Sequence, residues 1–379
     1  MPTSVYLDDN AASPLRPVAR EAMLSALDLT GNPSSVHRFG RLARRVVEDA
    51  RAQIAVSTGA TTAGVVFTSN GSEANALALH GARRRRILLS AVEHDSVSVP
   101  AQRAAVCGEI PVDGNGVIDV AALDKALGAD ASDVLVSVML ANNETGAIQP
   151  VAEIAELARA RGAIVHCDAI AAAGRLPCDM GTLGVDMMSL SSAKLGGPLG
   201  VGALVLRPGI DVAPLIGGGG QERRRRGGTE NLPGIAGFGA ATAEAMARMS
   251  EQVRLAVLRD KLEAGVLALA PNARVFAQST ARLANTSCLT MPGVANETQV
   301  MALDLAGVAV SAGAACSSGK VTASHVLSAM GVPTAEAATA IRVSFGWKSA
   351  PSDVEAFLAA WGSLWTRLGN GGPGKTSAA

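Results

Sequence analysis

The sequence predicts an α/β protein whose larger domain contains a mostly parallel sheet and whose smaller domain is α+β. Between about residues 65 and 207, short apolar runs alternate with helical segments, which is the pattern of a parallel sheet covered by helices. Several of these runs end in polar residues, and ligands of open α/β sheets bind at the carboxyl ends of strands. Beyond Pro271 shorter strands and helices follow, which indicates a second domain.

We expect the large domain to span residues 14–257 and the small domain to combine residues 1–13 with residues 258–368. A chain of 379 residues is long enough for two domains with a sizeable core. The final segment 369–379, G-N-G-G-P-G-K-T-S-A-A, has the composition of a disordered tail.

Composition argues against several classes of partner. Thirty-three basic and 33 acidic residues give a formal net charge of zero, so we predict binding to neither nucleic acid nor a membrane. No signal peptide or membrane-spanning apolar run is visible in the sequence. The five cysteines form no C-x-x-C pair, which argues against a disulfide framework or a metal site and favours a cytoplasmic location.

The first predicted strand of the large domain leads into a candidate anion site. The segment 65–80, V-V-F-T-S-N-G-S-E-A-N-A-L-A-L-H, predicts a strand, a polar turn and a helix that begins near Gly71 and Ser72. The free N–H groups of a helix N-terminus and a nearby hydroxyl suit a phosphate. An ordinary capped helix with no ligand is the alternative.

Three further strands deliver polar side chains to the same predicted edge. The strand at 87–91 is followed by E-H-D-S-V with His94, and the strand at 134–140 by A-N-N-E-T-G with Asn142. The strand at 163–169 places His166 and Asp168 on one face because side chains alternate along a strand. An aspartate that ends an apolar run needs a partner, either a cation or a protonated ring nitrogen. A purely structural role for His94 stays open.

A single lysine, Lys194, lies in S-L-S-S-A-K-L-G-G-P-L-G-V-G at 189–202. The chain has only six lysines against 27 arginines, so a lysine beside a glycine-rich turn indicates a need for an amine that can lose its proton. A partly desolvated lysine can form a Schiff base, which arginine cannot. A solvated lysine at a turn is the alternative.

Two residues of the predicted small domain also carry chemistry. Cys316 lies in S-A-G-A-A-C-S-S-G-K, where small neighbours offer it no apolar packing, and such a cysteine is a candidate for reactivity. Arg342 lies within the apolar run A-I-R-V-S-F-G-W. A buried arginine needs a carboxylate, which either the protein or a substrate supplies.

Together these motifs resemble the class V aminotransferase-like pyridoxal-phosphate enzymes, and within them the cysteine desulfurases that carry a long catalytic loop. The resemblance runs along nearly the whole chain, through Y-L-D-D-N-A-A, G-N-P-S-S-V-H, T-S-N-G-S-E-A-N, E-H-D-S-V, A-N-N-E-T-G, H-C-D-A, G-G-G-Q-E, R-G-G-T-E-N, A-C-S-S-G-K, S-H-V-L and I-R-V-S.

The resemblance implies the type I fold of pyridoxal-phosphate-dependent transferases, with pyridoxal 5′-phosphate as the cofactor. Lys194 would hold the cofactor covalently and shuttle the substrate Cα proton, and Asp168 would pair with the ring nitrogen. His94 would stack on the ring and assist acid–base steps. The phosphate would be held by Gly71, Ser72 and Ser191.

The resemblance also implies a reaction and partners. Asn142 would contact the ring hydroxyl or the substrate, and Arg342 would clamp the substrate carboxylate. Cys316, as a thiolate, would attack the sulfur of L-cysteine, leaving a persulfide on the enzyme and L-alanine as product. The sulfur would pass to an acceptor protein for iron–sulfur clusters or another thio-cofactor. Thr229 would reach the phosphate of a neighbouring subunit, which implies a homodimer.

Two positions depart from the family pattern. Ala171 stands where the family places a glutamine that bonds the ring hydroxyl, and Ala193 where it places a histidine that bonds the phosphate. Each lost hydrogen bond to a charged group costs about 1–3 kcal/mol, so the two would weaken cofactor binding by about one to four decades. Two alternatives to the cysteine desulfurase function stay open. One is another lyase or transaminase of the same fold, and the other is a non-catalytic partner subunit with weakened cofactor binding.

Overall fold

The structure, a computed structural model, describes residues 4–104, 106–312 and 324–369. The strands are β1 (Val5–Tyr6), β2 (Val65–Thr68), β3 (Arg86–Ser90), β4 (Val106–Ile110), β5 (Val134–Met139), β6 (Ile164–Asp168), β7 (Met187–Ser191), β8 (Gly202–Leu206), β9 (Thr286–Thr290), β10 (Val308–Ala309), β11 (Ser311–Ala312) and β12 (Ala340–Ser344). The helices are α1 (Pro17–Leu27), α2 (Arg38–Thr58), α3 (Gly71–Gly81), α4 (Asp95–Ala101), α5 (Val120–Leu127), α6 (Val151–Ala160), α7 (Met180–Leu183), α8 (Leu232–Ala247), α9 (Glu251–Leu269), α10 (Asn296–Leu305), α11 (His325–Ala329), α12 (Thr334–Ala337) and α13 (Pro351–Leu368).

The main sheet has seven strands in the order β2-β8-β7-β6-β5-β3-β4. Strand β8 pairs antiparallel with β2 and with β7, and the remaining pairs are parallel. All strands except β8 therefore point the same way, and the carboxyl ends of β3, β5, β6 and β7 meet at one edge. The predicted mostly parallel sheet is confirmed.

The sheet is buried on both faces, as its apolar strands require. Every residue of β2, β5, β6, β7 and β8 is buried. Helix α8 packs on α1 and α2 over one face, in a core that includes Ile54, Val165 and Phe238. A second core, with Leu77 and Leu89, covers the other face. This packing holds the strand ends in place.

A smaller α+β unit follows, built on the antiparallel sheet β11-β12-β9 and the parallel pair β1–β10. Helices α9 and α13 pack against each other around a core that contains Leu262, Phe357 and Trp361. The predicted small α+β domain is thus observed, with β1 from the start of the chain joined to it. The predicted boundary at residues 257–258 falls inside helix α9, and the domain boundaries stay a prediction.

Strand β4 is the one strand of the main sheet that the sequence reasoning missed. It lies at the edge of the sheet, and Val106, Cys107 and Glu109 are exposed. An edge strand with a central glycine shows no continuous apolar run, so its sequence pattern is weak. Cys316 and the tail from residue 370 onward lie outside the described residues, and the predictions for them stay predictions.

Candidate active site

A cavity of about 940 Å³ opens at the carboxyl edge of the main sheet and reaches into the small unit. Its wall includes the last residues of β3, β5, β6 and β7 and residues from β11, β12 and α11. Seven of the residues predicted from the sequence line it together: Gly71, Ser72, His94, Asp168, Ser191, Lys194 and Arg342. These residues lie up to 271 positions apart in the chain (342 − 71), and the fold brings them together.

Lys194 is held in a turn directly after β7. Its Nζ donates a hydrogen bond to the backbone carbonyl of Ala11, so the N-terminal segment fixes the amine. Burial, together with the nearby positive charges of Arg342 and Arg175, lowers the pKa of Lys194 to about 8, and the charges of Asp8 and Asp9 oppose this shift. An amine of this kind is available as a nucleophile and as a base near neutral pH.

Asp168 ends β6 and is buried, with 5% of its surface exposed. Its Oδ1 accepts the backbone N–H of Ile170 at 2.9 Å, and its Oδ2 accepts Asn75 Nδ2 at 2.8 Å. Burial raises the pKa of Asp168, whereas these two hydrogen bonds and the charges of His94 and Lys194 lower it. No arginine or lysine pairs with Asp168 directly among the described side chains.

His94 immediately precedes helix α4 and caps it, and its ring is oriented by that helix. Nδ1 accepts the backbone N–H of Ser96 at 3.0 Å and lies 2.9 Å from the Ser96 hydroxyl. Because Nδ1 is an acceptor, the neutral ring carries its proton on Nε2. Asn75 Nδ2 also donates to the Ser96 hydroxyl at 2.9 Å. Asn75 therefore connects Asp168 to Ser96, the residue that orients the His94 ring.

The N-terminus of helix α3 forms the polar end of the cavity. The helix begins at Gly71, and Asn70 caps it by accepting the backbone N–H of Glu73. A Cβ on Gly71 would lie 2.3 Å from Ile170 Cδ1 and 3.2 Å from Ser191 Cβ, so a side chain there would require Ile170 to move. The site thus offers unpaired helix N–H groups beside the Ser72 and Ser191 hydroxyls, which suits an anion.

Arg342 lies in the middle of β12 and is buried, with 6% of its surface exposed. Its Nη2 donates to Asp8 Oδ1 at 2.6 Å and its Nη1 to the carbonyl of Asn143 at 3.2 Å. Its Nε is buried and has no hydrogen-bond partner among the described residues. Asp8 therefore supplies the protein carboxylate that the sequence required, and donor capacity is left for a ligand carboxylate.

The structure does not place Asn142 in the cavity wall. Its side chain is fully buried: Oδ1 accepts the backbone N–H groups of Glu144 and Thr145 at 2.9 Å, and Nδ2 donates to the carbonyl of Val92. Asn142 thus shapes the turn after β5, and the next residue, Asn143, lines the cavity instead. Sequence reasoning could not decide between two adjacent asparagines.

Thr229 is exposed and is absent from the cavity wall. It follows a turn in which Glu222, Arg223 and Arg224 have φ values of +45°, +58° and +69°, a strained run for residues other than glycine. The turn is held by buried Glu222, which pairs bidentately with Arg51 at 2.8 Å. The predicted role of Thr229 in a neighbouring subunit stays a prediction.

Several residues near the site were missed or left without a role by the sequence reasoning. Asn75 closes the motif T-S-N-G-S-E-A-N, and Glu93 precedes His94 in E-H-D-S-V. Both are buried beside Asp168, and Glu93 lines the cavity. His166, which shares a strand face with Asp168, is structural: its ring nitrogens lie 2.8 Å from the hydroxyls of Ser137 and Ser189, and burial lowers its pKa to about 3.

A family model described as aminotransferase class V matches residues 5–357. The chain belongs to this family. A cysteine desulfurase from Cereibacter sphaeroides is 44% identical over 93% of this chain and 94% of its own length. An IscS-like cysteine desulfurase from Mycobacterium tuberculosis is 41% identical over 93% and 94%. The resemblance predicted from the motifs is confirmed.

Solved structures of this family share the fold. A NifS-like protein from Rickettsia africae superposes with a TM-score of 0.89 and 35% identity, covering 96% of this chain and 99% of that chain. SspA, solved in complex with cysteine, has a TM-score of 0.76 and 28% identity over 90% and 99%. The predicted fold class is confirmed. Within the described ranges, no helix is long and apolar enough to cross a membrane.

Proposed function

We propose that the protein is a pyridoxal 5′-phosphate-dependent cysteine desulfurase, which converts L-cysteine to L-alanine and retains the sulfur as a persulfide on Cys316. The observation that carries the proposal is Lys194, a partly buried amine with a pKa of about 8 in one cavity with Asp168 and Arg342. The relatives named cysteine desulfurase support this reaction, and the SspA complex supports cysteine as the ligand.

The residues of the cavity fit the cofactor at three points. The N-terminus of α3 with Ser72 and Ser191 would hold its phosphate, since this end offers unpaired N–H and hydroxyl donors. Asp168 is a buried carboxyl that needs a positive partner, which a protonated ring nitrogen supplies. The amine of Lys194 would bind the aldehyde. Asn143 replaces Asn142 in the proposal as the residue facing the ring or the substrate.

When bound, pyridoxal 5′-phosphate supplies an electron sink for carbanion chemistry at the substrate Cα. Arg342 would bind the substrate carboxylate and orient the substrate. Lys194, whose amine is neutral above about pH 8, would accept the Cα proton. His94 would stack on the ring and donate or accept protons through Nε2, because Nδ1 is occupied by Ser96.

The sulfur transfer would take place at Cys316. Its thiolate attacks the sulfur of the substrate, a new S–S bond forms, and the bond between sulfur and Cβ breaks. The electron pair of the broken bond goes to Cβ, which takes up a proton and becomes the methyl group of alanine. The persulfide left on Cys316 holds the transferred sulfur, which an acceptor protein would then take.

The proposal is tested by mixing the purified protein with pyridoxal 5′-phosphate and L-cysteine and measuring alanine and the visible spectrum. We expect a cofactor absorption band that cysteine perturbs, and alanine in amounts equal to the sulfide released with dithiothreitol. Formation of pyruvate or of a keto acid in place of alanine would indicate a different lyase or a transaminase. A protein that binds no cofactor would refute the proposal.

Arg342, the residue proposed to bind the substrate carboxylate, gives a prediction about kcat/KM. We expect Arg342→Gln to lower kcat/KM for cysteine by about 10–150-fold, because a hydrogen bond to a charged group contributes about 1.5–3 kcal/mol. Asp8→Asn is the matched control, since it breaks the same 2.6 Å ion pair and keeps the guanidinium. Steady-state kinetics on both variants check this, and equal losses would show that Arg342 acts only through its ion pair with Asp8.

The departure at Ala193 gives a prediction about cofactor affinity. Ala193 lines the cavity beside Lys194, so a histidine there would reach the site and restore a donor to the phosphate. We expect Ala193→His to lower the Kd for pyridoxal 5′-phosphate by about tenfold, measured by equilibrium dialysis of the cofactor-free protein. Ala193→Leu adds bulk without a donor and controls for packing. Equal affinity in wild type and the histidine variant would contradict the prediction.

Three further features belong to the same proposal. The protein would act as a homodimer in which Thr229 contacts the phosphate of the neighbouring subunit. The acceptor protein would serve the assembly of iron–sulfur clusters or of another thio-cofactor, and the reaction would take place in the cytoplasm. The exposed position of Thr229 on its constrained loop is compatible with contact to a second copy.

A further inference from the structure

A second buried carboxyl group, that of Glu93, lies beside Asp168 in the cavity wall. Glu93 is 1% exposed and lines the cavity. Its Oε1 accepts the backbone N–H of Met139 at 2.7 Å, and Met139 pairs with Asp168 across strands β5 and β6. Two carboxyl groups thus share one water-poor wall, where two negative charges would repel each other strongly.

The two carboxyl groups differ in their hydrogen-bond partners. Each oxygen of Asp168 accepts an N–H, from Ile170 and from Asn75. Glu93 has one such donor, the Met139 amide, and its Oε2 is buried without a partner among the described residues. Because N–H donors stabilise a carboxylate and an unpaired buried charge is far costlier than an unpaired hydroxyl, the negative charge is better supported on Asp168.

The surrounding charges favour the same distribution. Burial raises the pKa of Asp168, and the charges of His94 and Lys194 oppose this shift. Burial and the neighbouring Asp168 raise the pKa of Glu93 well above its usual range, and only the Met139 amide opposes them. The ring of His325 approaches the backbone carbonyl of Glu93, with Nε2 at 2.8 Å, and no cation bonds the Glu93 side chain among the described residues.

We propose that Glu93 is a neutral carboxylic acid and acts as a positioning residue, so that Asp168 carries the negative charge of this adjacent pair. The protonation state rests on the contacts of the apoprotein alone. The consequence of this protonation state for the reaction rests on the proposed function, in which a single carboxylate, that of Asp168, would face the ring nitrogen. Glu93 also fixes the end of β5 next to Asp168 through the Met139 amide.

Infrared spectroscopy of the cofactor-free full-length protein at neutral pH tests the protonation state. We expect a carboxylic-acid carbonyl band that shifts when glutamate is labelled with ¹³C at its side-chain carboxyl and that stays in place when aspartate is labelled. The band should be absent from Glu93→Gln and retained in Glu144→Gln, the control for another buried glutamate of the cavity. A band that moves with labelled aspartate, or no band lost in Glu93→Gln, would overturn the proposal.

Cofactor affinity tests the positioning role. We expect Glu93→Leu, which leaves the Met139 amide without an acceptor, to raise the Kd for pyridoxal 5′-phosphate by about tenfold. Glu93→Gln keeps a neutral group with an acceptor oxygen and should recover most of this loss. A glutamine variant as weak as the leucine variant would overturn the proposal, because it would show that the negative charge is needed. If wild type binds no cofactor, the proposed function fails, and the infrared result still decides the state of Glu93.

Discussion

Replacing Lys194 by arginine is expected to reduce alanine formation from cysteine by about 10²–10⁴-fold, the range that loss of a positioned acid–base group produces. Arginine keeps the positive charge but cannot lose its proton in a protein. Lysine at this position has a pKa of about 8, chiefly because it is partly desolvated. The loss would therefore come from the missing neutral amine and not from a change in charge.

The measurement is alanine production by the purified variant, together with the absorption spectrum after addition of pyridoxal 5′-phosphate. Lys125→Arg is the matched control, since Lys125 is exposed on helix α5. In the wild type, the rate of cofactor capture should rise with pH with a midpoint near 8, because the neutral amine is the reactive form. Activity in Lys194→Arg above a tenth of the wild-type value would contradict the assignment.

Replacing Cys316 by alanine is expected to reduce sulfide release with dithiothreitol by about 10³-fold or more, since removal of a covalent nucleophile closes the reaction route. The cofactor band should remain, because Cys316 has no proposed role in cofactor binding. Ala312 and His325, on either side of the stretch that contains Cys316, both line the cavity.

Cys107→Ala is the control for a general effect of thiol removal. Cys107 is exposed on edge strand β4, and partial desolvation together with the negative charge of Glu109 raises its pKa, which makes it a poor nucleophile. Mass spectrometry after brief exposure to cysteine should find an added sulfur atom on Cys316 and none on Cys107. A persulfide on another cysteine, or sulfide release that survives Cys316→Ala, would contradict the proposed role of Cys316.

Most of the architecture could be predicted from local sequence patterns. The apolar run at 134–140 was predicted as a strand and is β5, and the segment 65–80, predicted as a strand, a turn and a helix, contains β2 and α3. These segments have strong periodicity or continuous apolarity, so their local preference and their tertiary environment agree. Strand β4 was missed because an exposed edge strand has neither signal.

Some residues that line the cavity could be predicted from the sequence and others could not, and their contacts explain the difference. Asp168 and Lys194 stand at strand ends, where topology alone brings polar groups together. Asn142 and Asn143 are adjacent and chemically identical, and only the turn after β5 decides that the first is used for backbone hydrogen bonds while the second faces the cavity. No local pattern separates them.

The sequence by itself determined the family and the fold class, because its motifs and their order along the chain can be recognised without the fold. The reactive groups that the sequence names stay predictions. Tertiary structure alone decided which atoms of the predicted site residues already have partners: Arg342 Nη2 is bonded to Asp8, and Lys194 Nζ to the carbonyl of Ala11. It also decided the shifts of pKa at Lys194, Asp168 and Glu93. Desolvation and charge proximity depend on groups that are distant in the chain, so these properties exist only once the strands have paired and the cavity has formed.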